Sequence, residues 1–168
     1  MTVVSSINIR SLLDDVASGR LDVRAAERLL AHGPTSDLDF AQLDNHREGR
    51  TGFVEVVYCA GKTPEQVAGI LKKQSENQRA LLATRAEQAH ADAALAAVPD
   101  LEFHPQARVL RRLDTNRRVD VAPVAIVSAG TSDLHVAEEA ALTVETVGQP
   151  VVRRYDVGVA GLHRIAAI

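Results

Sequence analysis

The chain has 168 residues, 46% hydrophobic and 24% charged, with 19 Lys and Arg against 22 Asp and Glu for a formal charge of −3. That balance suits one globular domain or two small ones and gives no general attraction to nucleic acid or to an anionic membrane. Aromatics at 3% without tryptophan argue against a base-stacking surface, one cysteine excludes an internal disulfide, and no apolar run approaches the ~20 residues that cross a bilayer.

Ile9, Leu12, Leu13 and Val16 recur at helical spacing and stop at Ser18-Gly19. A second short helix opens on Asp22 as N-cap, with Val23, Ala26, Leu29 and Leu30 on one face and Gly33-Pro34 as its stop. The pair reads as a helical hairpin with a structural role. The N-terminus shows no basic stretch followed by an apolar core, so no secretory signal is expected and the cytoplasm is the expected compartment.

Asp44, His46 and Arg47 lie in a solvated polar segment ahead of a strand over 54–59, where Cys59 is a small buried residue. Ala60-Gly61-Lys62-Thr63 ends like a phosphate-binding P-loop, but the first glycine of that motif would fall on Val56. Helix initiation accounts for it better. Thr63 with Gln66 forms a capping box, Pro64 takes the first helical position, and Val67, Ile70 and Leu71 carry the apolar face. A buried strand over 80–83 follows, then a second capping box from Thr84 and Glu87 and an alanine-rich helix ended by Pro99. Short strands are expected over 101–104 and 108–110. Residues 111–120 are charged and lack an apolar period, which reads as a linker between a domain at 1–110 and another at 121–168.

Val124, Ala125, Ile126 and Val127 form an apolar run that stops at small and polar residues, Gly130, Thr131, Ser132 and Asp133. Leu134, Ala137, Ala140, Ala141, Val144 and Val147 then mark a helix, closed by Gly148 and Pro150, before a strand over 151–155. Strand, helix and strand make a right-handed parallel βαβ unit. Its first corner, 130–133, meets a helix N-terminus, where backbone N–H groups favour an anion. A second corner carries His163 and Arg164 on the same sheet edge. Hydroxyl, carboxylate, imidazole and guanidinium together suit a phosphorylated substrate that gains or loses a proton. The histidines show no zinc spacing, and no residue is assigned as a metal ligand.

The run Ala129-Gly130-Thr131-Ser132-Asp133, followed by an Ala/Val/Glu-rich helix and by Tyr155-Asp156-Val157-Gly158-Val159-Ala160-Gly161-Leu162-His163-Arg164, resembles the LarB family. So does the segment Asp44, His46, Arg47, Arg50, Gly52 and Glu55, although Val54 stands where the family usually has proline. The resemblance implies an α/β fold: the helical hairpin, a small α/β domain, and the first βαβ unit of a PurE-like, flavodoxin-like parallel sheet. It also implies carboxylation of the pyridinium ring of nicotinic acid adenine dinucleotide and hydrolysis of its phosphoanhydride, an early step toward the nickel-pincer cofactor. Carbon dioxide or bicarbonate is the implied second substrate, a magnesium ion fits the phosphoanhydride step, and PurE-like domains assemble as homo-oligomers, commonly octamers. Nucleic acid and membrane are not expected partners. On this reading His163 and Asp133 are catalytic, while Gly130, Thr131, Ser132 and Arg164 bind substrate and phosphate. LarB chains continue past the His-Arg pair, so this sequence is expected to be an N-terminal part with little activity alone. The same loops would also suit an aminoimidazole ribonucleotide carboxylase or mutase, or a non-catalytic nucleotide-binding module.

Overall fold

A computed structural model of the chain describes residues 9–31, 35–38, 40–44, 47, 51–116 and 120–158. They fall into two compact units that divide between Phe53 and Val54. In the first, α1 (Ile9–Ala17) ends where Gly19 turns into the left-handed region at φ +72°. Asp22 caps α2 (Val23–Ala31) as expected, its Oδ2 accepting from the N–H of Arg24 and Ala25 at 3.0 and 3.3 Å. Leu12 and Ala26 are buried, whereas Leu13, Val23 and Leu29 are exposed. β1 (Thr35–Leu38) and β2 (Ala41–Asp44) then pair as an antiparallel hairpin that the sequence reading did not anticipate.

The second unit is built on a mixed sheet in the order β3-β4-β6-β5, from β3 (Val56–Tyr58), β4 (Leu81–Thr84), β5 (Glu102–His104) and β6 (Val109–Arg112). β3 and β4 are parallel, joined through α3 (Pro64–Ser75), while β6 runs antiparallel to β4 and β5. The capping box at α3 is present as read: Thr63 Oγ1 accepts from Gln66 N–H at 3.3 Å, and Gln66 Oε1 accepts from Thr63 N–H at 3.0 Å. The second expected box is not. α4 (Gln88–Ala97) starts later, with Glu87 as N-cap, and His90 Nδ1 accepts from the Glu87 N–H at 3.0 Å. His90 Nε2 lies 2.9 Å from the carbonyl of Lys62. Since a carbonyl only accepts, the buried ring holds its hydrogen on Nε2 and ties the α4 start to the loop after β3.

Side chains alternate across the sheet. Leu82 and Val109 form one buried core with Val54, Ala80, Ala107 and Leu142, which belongs to α5 (Leu134–Thr146), and half-buried Val56 packs against it. Val57, Leu81, Ala83 and Leu110 are buried on the other face, which is left for α3 and α4. α5 is also the crossover between β7 (Val124–Val127) and β8 (Val151–Arg154), which pair in parallel with Val124 opposite Val151. One helix therefore serves two sheets. Gly148, at φ +85°, closes it by donating to the carbonyl of Glu145 at 2.9 Å.

The expected linker at 111–120 loses its first two residues to β6. Arg111 and Arg112 sit in the sheet because each guanidinium finds fixed acceptors. Arg111 donates to Glu145 Oε2 at 2.8 Å and His104 Nε2 at 3.1 Å. Arg112 takes both oxygens of Asp100 at 3.2 and 3.0 Å and the carbonyl of Gln78 at 2.6 Å. Glu145 also accepts from Arg153 of β8, whose Nε reaches Glu138 at 3.2 Å. A carboxylate on α5 thus holds one arginine from each sheet.

Candidate functional site

β7 delivers the chain to a tight corner. Gly130 is extended (φ −136°, ψ 169°), a single 3-10 turn covers Thr131–Asp133, and α5 begins directly after it. The first N–H of the turn to find a carbonyl within it is that of Asp133, on Gly130 at 3.1 Å, so Thr131 and Ser132 precede the hydrogen-bonded ladder. Asp133 reaches back, its Oδ2 accepting from the Gly130 N–H at 3.3 Å and its Oδ1 from the Ser132 hydroxyl at 3.3 Å. Thr131, Ser132 and Asp133 are exposed. Asp133 thus holds the corner in shape at a helix N-terminus, where the Thr131 and Ser132 N–H groups lie ahead of the helical ladder.

The second corner approaches the first. Beyond β8 the chain turns at Asp156, a non-glycine residue at φ +54°. Val157 N–H then donates to the carbonyl of Ser128 at 3.1 Å, and Gly158 N–H to that of Ala129 at 2.8 Å. The two corners are therefore joined as far as Gly158. His163 and Arg164 lie outside the described residues.

The described structure places a different imidazole at the loop. His135, in the first turn of α5, has Nδ1 3.0 Å from the carbonyl of Ser132. Nδ1 must carry the hydrogen of that contact, so in the neutral ring Nε2 is the open acceptor on an exposed side chain. The sequence signal was available, since a histidine two positions after Asp133 falls within the first helical turn.

Beneath the corner, Ser128 is buried and its hydroxyl has no hydrogen-bond partner among the described residues. The Tyr155 hydroxyl is likewise buried without a partner at bonding geometry. Burial, and then the neighbouring Glu138, push it up to about 12. Lys62, in the run that ends like a P-loop, is spent locally, its Nζ donating to the carbonyl of Tyr58 at 2.8 Å. Cys59 is fully buried and its thiol is pushed up to about 11 by that burial, which makes it inert. Among the described residues no helix is long and apolar enough to cross a membrane.

Residues 35–115 match the family described as the LarB/PurE-like N-terminal domain. Over that segment the chain is similar to LarB/PurE-like N-terminal domains. The LarB match takes in the β1–β2 hairpin and the whole mixed sheet of β3 to β6, and it stops before β7. Beyond the LarB segment a curated relative carries the similarity further. The uncharacterized protein MJ0165 of Methanocaldococcus jannaschii is 32% identical over 165 residues. That alignment covers 94% of this chain and 64% of the relative, so the chain spans about two thirds of its length.

Proposed function

We propose that this chain is part of a LarB-type enzyme that binds a nucleotide through the corner at 130–133. The reaction is carboxylation of the pyridinium ring of nicotinic acid adenine dinucleotide, with phosphoanhydride hydrolysis that releases AMP. The observation that carries the reading is the preorganised Gly130–Thr131–Ser132–Asp133 turn at the N-terminus of α5, beside a LarB-type domain. Backbone N–H groups of Thr131 and Ser132 hold a phosphate group, and the Ser132 hydroxyl joins them by turning its single hydrogen away from Asp133 Oδ1. Gly130 leaves room for its close approach, because an added Cβ would meet only Ser132 Oγ, at 3.8 Å.

Asp133 and His163 take the proton-transfer and orienting roles, and Arg164 neutralises the carboxylate or phosphate. An imidazole suits the task because its ordinary pKa of about 6.5 lies near working pH. Among the described residues no three His, Cys, Asp or Glu side chains come together. Magnesium would enter as a companion of the substrate's phosphates, held by Asp133 and water, and would supply charge neutralisation at the anhydride. The proposed setting is the cytoplasm, with bicarbonate or carbon dioxide as second substrate and a homo-oligomer as the assembled form.

The test is calorimetry of the purified chain with nicotinic acid adenine dinucleotide, followed by incubation with bicarbonate and magnesium and assay of AMP. Binding that Ser132→Ala weakens, with little AMP released by this chain alone, is the expected result. Absence of binding overturns the reading.

A further inference from the structure

We infer that Ser128 is an additional contact for the phosphate group bound at this corner, an inference that rests on the nucleotide-binding reading above. Ser128 is only 8% exposed, and its Oγ meets no hydrogen-bond partner among the described residues. Buried hydroxyls are nearly always satisfied, so an orphan at the end of a strand calls for a ligand or a structural reason. The described residues supply no structural reason. Ser128 contributes to the fold through its backbone, donating to the carbonyl of Arg154 at 3.1 Å and accepting from Val157 at 3.1 Å. Alanine would make both bonds without stranding a hydroxyl.

The direction of the side chain follows from the register. Ile126 is opposite Arg153, and Arg153 binds Glu138 and Glu145, so that face of the β7–β8 pair looks toward α5. Ser128 is two residues beyond Ile126 and shares its face. Its hydroxyl therefore sits under the start of α5, where Thr131 and Ser132 open the helix. A helix N-terminus and an unsatisfied buried donor converge from independent causes. A phosphate monoester satisfies both: its oxygens accept from the loop amides and from Ser128 Oγ–H. The hydroxyl is thus a cost to the free chain that the bound ligand relieves.

The experiment compares the full chain with Ser128→Ala, Ser128→Thr and Ser132→Ala. Inorganic phosphate and then AMP are titrated against the amide resonances of residues 129–134, and thermal unfolding is recorded without ligand. Ser128→Ala is expected to melt at or above the parent temperature yet bind phosphate about three- to tenfold more weakly. Ser128→Thr, which keeps the hydroxyl, is expected to retain the affinity. Raised stability with unchanged affinity in Ser128→Ala would show an idle orphan and overturn the inference while leaving the loop reading intact. Equal losses in the alanine and threonine variants overturn it as well, by tracing the effect to packing. No response of the parent chain to phosphate or AMP overturns both readings.

Discussion

Replacing Glu145 by glutamine tests whether α5 joins the two sheets. The Arg111 side chain is 10% exposed and Glu145 26%, at an N–O distance of 2.8 Å, and the Arg153 side chain is 31% exposed. Stripping the partner from a fully buried pair costs about 3–5 kcal/mol, whereas exposed pairs are worth less than about 1 kcal/mol. Glutamine keeps one acceptor oxygen but turns an amide donor toward a guanidinium. Arg111 retains His104 and Arg153 retains Glu138. The expected loss is therefore intermediate, about 2–3 kcal/mol, or roughly 10 °C in the melting temperature of this unit. Burial alone would raise the Glu145 carboxyl, but hydrogen bonds from Arg153 and Arg111 outweigh it and hold the group below its ordinary value. A depressed carboxylate stabilises the fold above the unfolded value, about 4.3, and loses that contribution as pH falls through the folded value. Urea unfolding of both chains should show a constant gap from pH 7 to about 5 that narrows progressively once pH falls below the unfolded value of about 4.3. A gap under about 0.5 kcal/mol at pH 7, or one that persists unchanged at pH 3, would refute the argument.

Three further outcomes follow from particular side chains. Cys59, with its thiol near 11, should resist a thiol reagent at pH 8 until the chain unfolds. Because its folded value is raised, its contribution is full below the unfolded value of about 8.5 and fades as pH climbs toward the folded one; rapid native labelling would contradict this. His90→Ala removes two backbone partners from a buried ring and should cost about 2–3 kcal/mol in urea unfolding; a neutral effect would mean that neither contact holds the α4 start. Gly130→Ala should change stability by less than about 0.5 kcal/mol, since φ −136° suits any residue and the new Cβ meets only Ser132 Oγ. AMP affinity should nevertheless fall, as calorimetry can measure, because the methyl group occupies the ligand's approach.

The sequence was most legible where structure is local. Thr63, Pro64 and Gln66 announce α3 by neighbouring chemistry, and Gly148 closes α5 on a carbonyl three residues back. It was least legible where the deciding partner is remote. Arg111 reads as linker because the carboxylate that admits it to β6 is 34 residues away. The start of α4 was misplaced because a histidine, rather than the expected glutamate, accepts at the third helical position. At the site, the corner at 130–133 was read from the abrupt end of an apolar run. The orphaned hydroxyl of Ser128 was not, since satisfaction is a property of what packs above it.

Hydrogen–deuterium exchange of the full chain with and without AMP puts the nucleotide-binding reading to the test. Slowed exchange is predicted at the amides of Thr131 and Ser132, in the first turn of α5 and at Gly158, whose N–H joins the second corner to the first. Protection confined to other parts of the chain, with these amides unchanged at saturating AMP, would contradict it.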